Sequence, residues 1–113
     1  MAKYETRLFG NFDEILRSIE DSIPNSSISA SIEDGSNFNL GNVKCAVRVF
    51  ERYSMTGSNR VSLSVTLVGE GDNILLSAIT AGGSQAVFFK INTLGENAFL
   101  DCLVTIIDRY TRN

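Results

Sequence analysis

The sequence predicts a two-layer α+β domain, in which two amphipathic helices cover one face of an antiparallel sheet of about five strands. Apolar and polar residues alternate through several segments between residues 26 and 81, which is typical of strands. Two other segments, one before and one after these strands, repeat apolar residues at helical spacing. Both helices need an apolar surface to cover, and the sheet supplies one. The expected element order is β-α-β-β-β-β-α.

The first strand and the first helix have clear boundaries. Residues 3–9 form the expected strand, with Tyr4 and Leu8 on one side, and Gly10 ends it. Asn11 is a favourable helix cap, and Glu14 three residues later completes a capping box. Pro24 is expected to end the helix. The apolar side of this helix consists of Phe12, Ile15, Leu16, Ile19 and Ile23.

The second strand is predicted over residues 26–33. Ile28, Ala30 and Ile32 alternate there with serines, as in a strand buried on one face. Residues 34–37 read Asp-Gly-Ser-Asn, a composition typical of turns. We therefore expect a loop that extends from residue 34 to residue 42.

Strict alternation assigns the next two strands to faces. In the first of them Val43, Cys45, Val47 and Val49 are expected to face the helices, with Arg48, Phe50 and Arg52 on the outer face. In residues 60–68 the inward residues are expected to be Val61, Leu63, Val65 and Leu67, with Val68 outside. If the two aliphatic faces lie on the same side of the sheet, the numbers of any two paired residues in this hairpin add up to an even number.

A four-residue turn over residues 69–72 is expected to lead into a strand over residues 73–81. This register pairs Leu67 with Ile74 and leaves Leu75 and Ile79 on the outer face. Residues 86–91 are expected to form a short strand or a packed loop. Thr93 and Glu96 then make a second capping box for a closing helix that extends to about Tyr110. Its apolar side consists of Phe99, Cys102, Leu103, Ile106, Ile107 and Tyr110.

This order of elements resembles TATA-binding-protein-like and helix-grip architectures. The resemblance concerns architecture and implies no function. A chain of 113 residues is expected to form a single domain over residues 1–113.

Composition restricts the class of partner. The net charge is −3 at pH 7, which opposes general attraction to nucleic acid or to anionic lipid. The longest apolar runs are a few residues, whereas a bilayer span needs about 20. The first residues also lack the apolar segment of a signal peptide. We therefore expect a cytoplasmic protein that binds neither membrane nor nucleic acid.

The chain has no histidine, and histidine is the commonest general base and metal ligand. The two cysteines, Cys45 and Cys102, are too few for a structural zinc site and are expected to be reduced and to face the core. No catalytic residue, metal site or cofactor is therefore predicted, and an enzyme is not the expected class.

Two segments are candidates for a small-ligand site. Strand parity places Glu51 and Tyr53 inward, where they could form the polar floor of a cavity between sheet and helices. The alternative is that Glu51 is solvated or paired with an arginine. The sequence Gly82-Gly83-Ser84-Gln85 could present backbone N–H groups to an anion, but it lacks the lysine and spacing of phosphate loops, so a turn or bulge is expected.

The outer sheet face is the preferred candidate for function. Apolar residues interrupt it although two helices already cover the opposite face. The sequence therefore predicts a non-catalytic binding module that self-associates there, most simply as a symmetric dimer. The alternative is a small-ligand carrier or a cofactor-free enzyme that uses the sheet-helix cavity. The candidate interface residues are Arg48, Phe50, Arg52, Val68, Leu75 and Ile79.

Three segments of the chain are similar to a known family. They read Cys-Ala-Val-Arg-Val-Phe-Glu-Arg-Tyr over residues 45–53, Asn-Arg-Val-Ser-Leu over 59–63, and Ser-Ala-Ile-Thr-Ala-Gly-Gly-Ser-Gln-Ala-Val-Phe-Phe-Lys-Ile-Asn over 77–92. They resemble a family of small bacterial proteins known only as a domain of unknown function. The resemblance implies a stand-alone bacterial protein and brings no activity, cofactor or site residue.

Overall fold

A computed structural model describes residues 1–53, 60–82 and 89–111 of the chain. The described residues form five strands, two α-helices and one 3-10 turn. The elements are β1 (Ala2–Phe9), α1 (Phe12–Asn25), β2 (Ser31–Leu40), β3 (Val43–Tyr53), β4 (Arg60–Glu70), β5 (Asn73–Gly82), α2 (Phe89–Ile107) and a final 3-10 turn (Asp108–Tyr110).

All neighbouring strands pair antiparallel, in the order β1-β5-β4-β3-β2. The first strand therefore closes one edge of the sheet beside the last, β4 lies in the centre, and β2 forms the other edge. Both helices pack on the same face, where α1 contacts β3 and β2 while α2 contacts β5, β4 and β1. The predicted α+β fold of five antiparallel strands and two helices is confirmed.

The first strand and helix follow the predicted pattern. The side-chain oxygen of Asn11 accepts a hydrogen bond from the backbone N–H of Glu14 at 2.9 Å, which caps α1. The apolar side of α1 is buried against the sheet, and Leu8 of β1 is buried beneath it. Pro24 lies inside the last turn of the helix, which ends one residue after it, at Asn25.

A single core fills the space between the sheet and the helices. It draws apolar side chains from both helices and from β1, β3, β4 and β5. The largest fully buried members are Phe50, Phe99, Leu8, Ile15, Ile19, Ile23, Leu63, Leu67, Ile74, Leu103, Ile107 and Val61.

The second strand lies later in the chain than the sequence predicted. Residues 26–30 are turns and the strand occupies Ser31–Leu40, so the predicted loop over residues 34–42 is wrong. Pairing with β3 overrides the turn-forming composition of this segment, and a bulge between Ile32 and Asp34 accommodates the extra residue. Only Gly41 and Asn42 remain as a turn, with Gly41 at a positive φ of 58°. A glycine first in a two-residue turn is typical of hairpins.

The predicted faces of β3 are wrong by one residue. Phe50 pairs with Leu63 and Ala46 with Leu67, an odd residue-number sum, so the even-numbered residues of β3 face the helices. Val43, Cys45, Val47 and Val49 accordingly lie on the face that no helix covers. Both faces of β3 alternate equally well, and the alternation therefore does not identify the buried one. Phe50 and the aliphatic stems of two arginines pack inward instead of the valines.

The hairpin between β4 and β5 has a shorter turn than predicted. Gly71 and Asp72 form a two-residue turn, with Gly71 at a φ of 60°, and Leu67 pairs with Leu76 and not with Ile74. This shift by two residues preserves the side-chain faces because strand side chains repeat every two residues. The predicted inward positions of β4 and the outward positions of Leu75 and Ile79 are therefore confirmed.

The closing helix begins earlier than predicted. It starts at Phe89, so Thr93 and Glu96 lie within it and the predicted second capping box is wrong. Residues 89–91 are helical as well, whereas residues 86–88 lie outside the described residues. The apolar side predicted for the second half is confirmed, because Phe99, Leu103, Ile107 and Tyr110 are buried while Cys102 and Ile106 pack against the core.

Gly35 is expected to be intolerant of any side chain. A Cβ atom at this position would lie 2.8 Å from Cδ of Arg48 and 3.0 Å from the backbone oxygen of Val47. We expect Gly35→Ala to lower the free energy of unfolding by about 1–3 kcal/mol, as other overpacked sites do. Urea unfolding followed by circular dichroism measures the change. Gly35→Ala with unchanged stability would show that Arg48 is free to move away.

Candidate interaction surface

The sheet face opposite the helices presents a group of neighbouring apolar side chains together with the separate Ile79, and we call this set the apolar band. Residues directly opposite each other on paired strands share a face, so the strand register gives its membership. The band takes residues from four strands: Phe38, Leu40, Val43, Cys45, Val47, Val49, Val68, Leu75 and Ile79.

Several members of the apolar band are well exposed to solvent. The exposed fraction is 83% for Leu40, 61% for Phe38 and 54% for Leu75. Val68 and Ile79 are also exposed, while the four residues from β3 are half-buried among their neighbours. Isolated exposed apolar residues are common on proteins, but a group of neighbouring ones indicates an interaction site.

The residues of the open face form rows that cross the sheet. One row passes from Arg7 through Leu75, Val68 and Cys45 to Phe38. A parallel row, four residues away on each strand, passes from Lys3 through Ile79, Ser64 and Val49 to Asp34. A middle row between them consists of Glu5, Ser77, Thr66, Val47 and Ser36. Apolar residues thus occupy much of the face, polar residues interrupt them in the middle row, and charged residues stand at the edges. Protein interfaces usually combine apolar contacts with a polar rim.

Two shallow depressions lie beside Val68 and Leu75. The larger, of about 480 Å³, is bordered by Glu5, Thr66 and Ser77 as well. The other, of about 410 Å³, extends toward Arg7 and Glu70. Both are open depressions of the sheet surface that a partner's side chains could enter.

The charges at the two edges differ. On β1 the open face carries Lys3, Glu5 and Arg7, and the Glu5 carboxylate accepts a hydrogen bond of 3.1 Å from the Ser77 hydroxyl. On β2 the charged residue of the open face is Asp34. One edge therefore has a net positive charge and the opposite edge a negative one.

Three of the residues predicted for the interface lie on the helix-covered face of the sheet. Phe50 is fully buried, and Arg48 and Arg52 are each 8% exposed, all beneath the helices. Their predicted position on the outer face was wrong because the register of β3 is shifted by one residue. Val68, Leu75 and Ile79 do lie on the open face.

Arg48 is held by a partly buried ion pair. Its Nε donates a hydrogen bond of 2.7 Å to the Glu20 carboxylate of α1. A terminal nitrogen donates to the backbone oxygens of Ser36 and Val47 at 3.1 Å and 2.8 Å. These contacts compensate for the loss of hydration and fasten α1 to the sheet.

Arg52 lies against α2. Its guanidinium stands 4.7 Å above the centre of the Phe99 ring, a cation–π contact, and Nη1 is 3.7 Å from the Cys102 sulfur. The structure thus assigns the buried arginines to attachment of the helices.

The predicted cavity floor lies on the open face instead of between sheet and helices. Glu51 forms an ion pair with Arg60 of β4, as the alternative interpretation proposed. Tyr53 is half exposed, with the Arg60 guanidinium 5.8 Å from its ring centre. The inward placement of both residues was wrong for the same reason as for Phe50.

The glycine-rich segment is described only at its first residue. Gly82 ends β5 and pairs with Val61, so it belongs to the sheet and not to a loop. Gly83, Ser84 and Gln85 lie outside the described residues.

Phe38 and Leu40 are the site residues that the sequence prediction missed. The segment Asn-Phe-Asn-Leu-Gly-Asn over residues 37–42 contains the necessary signal, namely alternation followed by a Gly-Asn turn. The turn-forming residues at positions 34–37 concealed it. Cys45 was also missed, since it was expected to face the core but lies on the open face as a free thiol.

Over residues 1–53, 60–82 and 89–111 no group of three acidic or cysteine side chains could hold a metal ion. Among the helices of those residues, none has the length and apolar character that a membrane crossing requires.

Comparison with known families identifies the group to which this chain belongs. A family model described as a family of unknown function, DUF6054, matches residues 1–111. The chain belongs to the DUF6054 family. The match covers both helices and all five strands, so DUF6054 corresponds to the whole fold described above. No curated protein and no solved structure matches the chain.

Proposed function

We propose that this DUF6054 protein is a non-catalytic interaction module that self-associates through its open sheet face. The observation that supports the proposal is the apolar band, which crosses β2, β3, β4 and β5 while the helices cover only the opposite face. Burial of such a surface is the main favourable contribution to most protein association. The corrected register of β3 strengthens the proposal, because it adds Val43, Cys45, Val47 and Val49 to this face.

The size of the open face is sufficient for a dimer. Five strands about 4.8 Å apart and about eight residues per strand at about 3.3 Å give a face of about 24 by 26 Å. Two copies would bury about 1,200 Å² between them, which is the lower end of the range for stable interfaces.

We also infer that the module acts in a bacterial cytoplasm. Cys45 and Cys102 are both free thiols, which agrees with a reducing compartment. The resemblance to small bacterial proteins supports a bacterial origin of the chain.

The ligand-carrier alternative loses its principal support. Glu51 and Tyr53 do not border the space between sheet and helices, and Gly82 is part of a strand. An apolar ligand would instead have to occupy the depressions beside Val68 and Leu75. A monomer with such a ligand is an outcome that the following experiment detects.

Leu75→Lys tests the proposed interface. A lysine at position 75, at the β5 end of the apolar band, would place a charge within the proposed dimer interface, and we expect at least 100-fold weaker self-association. Sedimentation velocity over a range of concentrations measures the dissociation constant. The matched control is Ile28→Lys, because Ile28 is fully exposed and lies in the turns before β2.

The control is expected to dimerise like the unmodified protein. A monomer at several hundred micromolar for the unmodified chain would refute self-association. Equal dissociation constants for Leu75→Lys and Ile28→Lys would place the interface elsewhere. Native mass spectrometry of the monomer would then show whether a small molecule occupies the open face.

A further inference from the structure

We propose that the two copies pack face to face about a two-fold axis that runs close to the direction of the strands. This inference rests on the proposed self-association and specifies its geometry. We call it the along-strand arrangement. The alternative, with the axis in the same plane but perpendicular to the strands, is the across-strand arrangement.

The strand order determines which strands meet in each arrangement. Because β4 is the central strand, an axis along it reverses the order of the second copy and keeps each row at the same height. The β1 edge then lies over β2 of the second copy, β5 lies over β3, and β4 lies over itself. A small tilt of the axis gives the angle of about 30° that is usual between packed sheets.

Apolar side chains meet in the along-strand arrangement. Leu75 lies over Cys45 of the second copy, and Ile79 lies over Val49 of the second copy, since each pair belongs to one row. Val68 lies next to the axis and meets its own counterpart. The across-strand arrangement also brings apolar residues together, with Leu75 over Ile79 of the second copy. Apolar matching therefore does not distinguish the two arrangements.

The charges at the edges do distinguish them. In the along-strand arrangement Lys3 lies over Asp34 of the second copy, and the Arg7 guanidinium lies over the ring of Phe38, because each pair occupies the two ends of one row. Opposite charges attract, and a guanidinium above an aromatic ring is also favourable. Each contact occurs twice by symmetry.

The across-strand arrangement opposes like charges instead. It places β1 over β1, so that Lys3 faces Arg7 of the second copy and Glu5 faces its own counterpart. It also places Asp34 over the apolar ring of Phe38. Like charges in direct opposition disfavour this arrangement, although each contact contributes modestly because Lys3, Glu5 and Arg7 are exposed at the rim.

Glu70 and Arg60 are the two charged residues on the open face of β4, and each meets its own counterpart near the axis in the along-strand arrangement. Arg60 is already paired with Glu51 of its own copy. Glu70 stands at the end of β4 beside the turn and is exposed. It also borders the same depression as Arg7, which supplies a neighbouring positive charge. The repulsion is therefore located at the solvated rim, where charge pairs contribute little.

Cys45 provides a direct measurement of the geometry. In the along-strand arrangement a cysteine at position 75 would lie over the natural Cys45 of the second copy. We expect Leu75→Cys to form an intermolecular disulfide within minutes of mild oxidation, with two bonds per dimer. Non-reducing electrophoresis and mass spectrometry of the linked peptides identify the pair.

Three controls separate this bond from other products. Leu75→Cys combined with Cys45→Ser is expected to lose the link, and Leu75→Cys combined with Cys102→Ser is expected to keep it. The unmodified protein is expected to remain unlinked, because Cys45 does not meet a cysteine in the along-strand arrangement. A second engineered pair, Val49→Cys with Ile79→Cys in the Cys45→Ser background, is expected to link between copies as well.

The result also separates this inference from the proposed function. Sedimentation of the reduced variants first establishes whether they are dimers, and a monomeric unmodified protein would refute self-association itself. A dimer that links through Leu75→Cys with Ile79→Cys in the Cys45→Ser background, but not through Cys45, would establish the across-strand arrangement. A dimer that forms neither link would also overturn the along-strand arrangement.

Discussion

Replacing Phe50 with alanine is expected to lower the free energy of unfolding by about 3–5 kcal/mol, as at other buried aromatic sites. Phe50 is fully buried and pairs with Leu63 on the helix-covered face. Truncation would leave a cavity in the core between the sheet and the helices. The effect is large because rigid neighbours cannot collapse to fill the volume.

The adjacent residue supplies the matched control. Val49 lies on the opposite face of the same strand and is half-buried, so Val49→Ala is expected to cost less than about 1 kcal/mol in a monomer. Both variants should be measured by urea unfolding in the Leu75→Lys background, because dimerisation would otherwise contribute to apparent stability. If Val49→Ala lowered the free energy of unfolding more than Phe50→Ala, the odd-numbered residues of β3 would face the helices, as the sequence predicted.

Removal of the Glu20 charge is expected to destabilise the protein by about 2–3 kcal/mol. Glu20→Gln would leave the buried Arg48 guanidinium without its anionic partner, and an uncompensated buried charge is costly. The side chain of Arg48 is 10% exposed, whereas that of Glu20 is 33% exposed, so solvent weakens the effect in comparison with a fully buried pair.

A second ion pair between the same helix and the same strand serves as the control. Lys44 and Asp13 are 3.2 Å apart, but their side chains are 50% and 61% exposed. Asp13→Asn is therefore expected to cost less than about 1 kcal/mol. Double-mutant cycles with Arg48→Met and Lys44→Met would measure the two coupling energies. Equal coupling energies for the two pairs would contradict the burial of Arg48.

Local sequence patterns were sufficient to predict several elements of the fold. The cap at Asn11 and the apolar residues that follow it determine α1, because helix formation depends on neighbours three and four positions apart. Val61, Leu63, Val65 and Leu67 were placed correctly because their other side is Ser, Ser, Thr and Val, which leaves little ambiguity. The predicted pairing of β4 with β5 was wrong by two residues, but this error preserved the predicted faces of both strands.

The open face could be predicted only in part. Val68, Leu75 and Ile79 follow from their own strands, but the contribution of β3 depends on which of its two alternating faces is buried. Valines on one side and Arg48, Phe50 and Arg52 on the other are both compatible with a strand. Contacts with residues distant in the sequence select the buried face. Glu20 pairs with Arg48, and the Phe99 ring lies against the Arg52 guanidinium.

Composition and short-range periodicity were enough to predict the class of fold, the two helices, the antiparallel pairing of successive strands and the exclusion of histidine chemistry. The pairing of β1 with β5, and the position of the β3 valines and of Phe38 on the open face, depend on long-range contacts. A strand's alternation states that it has two different faces, and the rest of the molecule selects the buried one through long-range pairing.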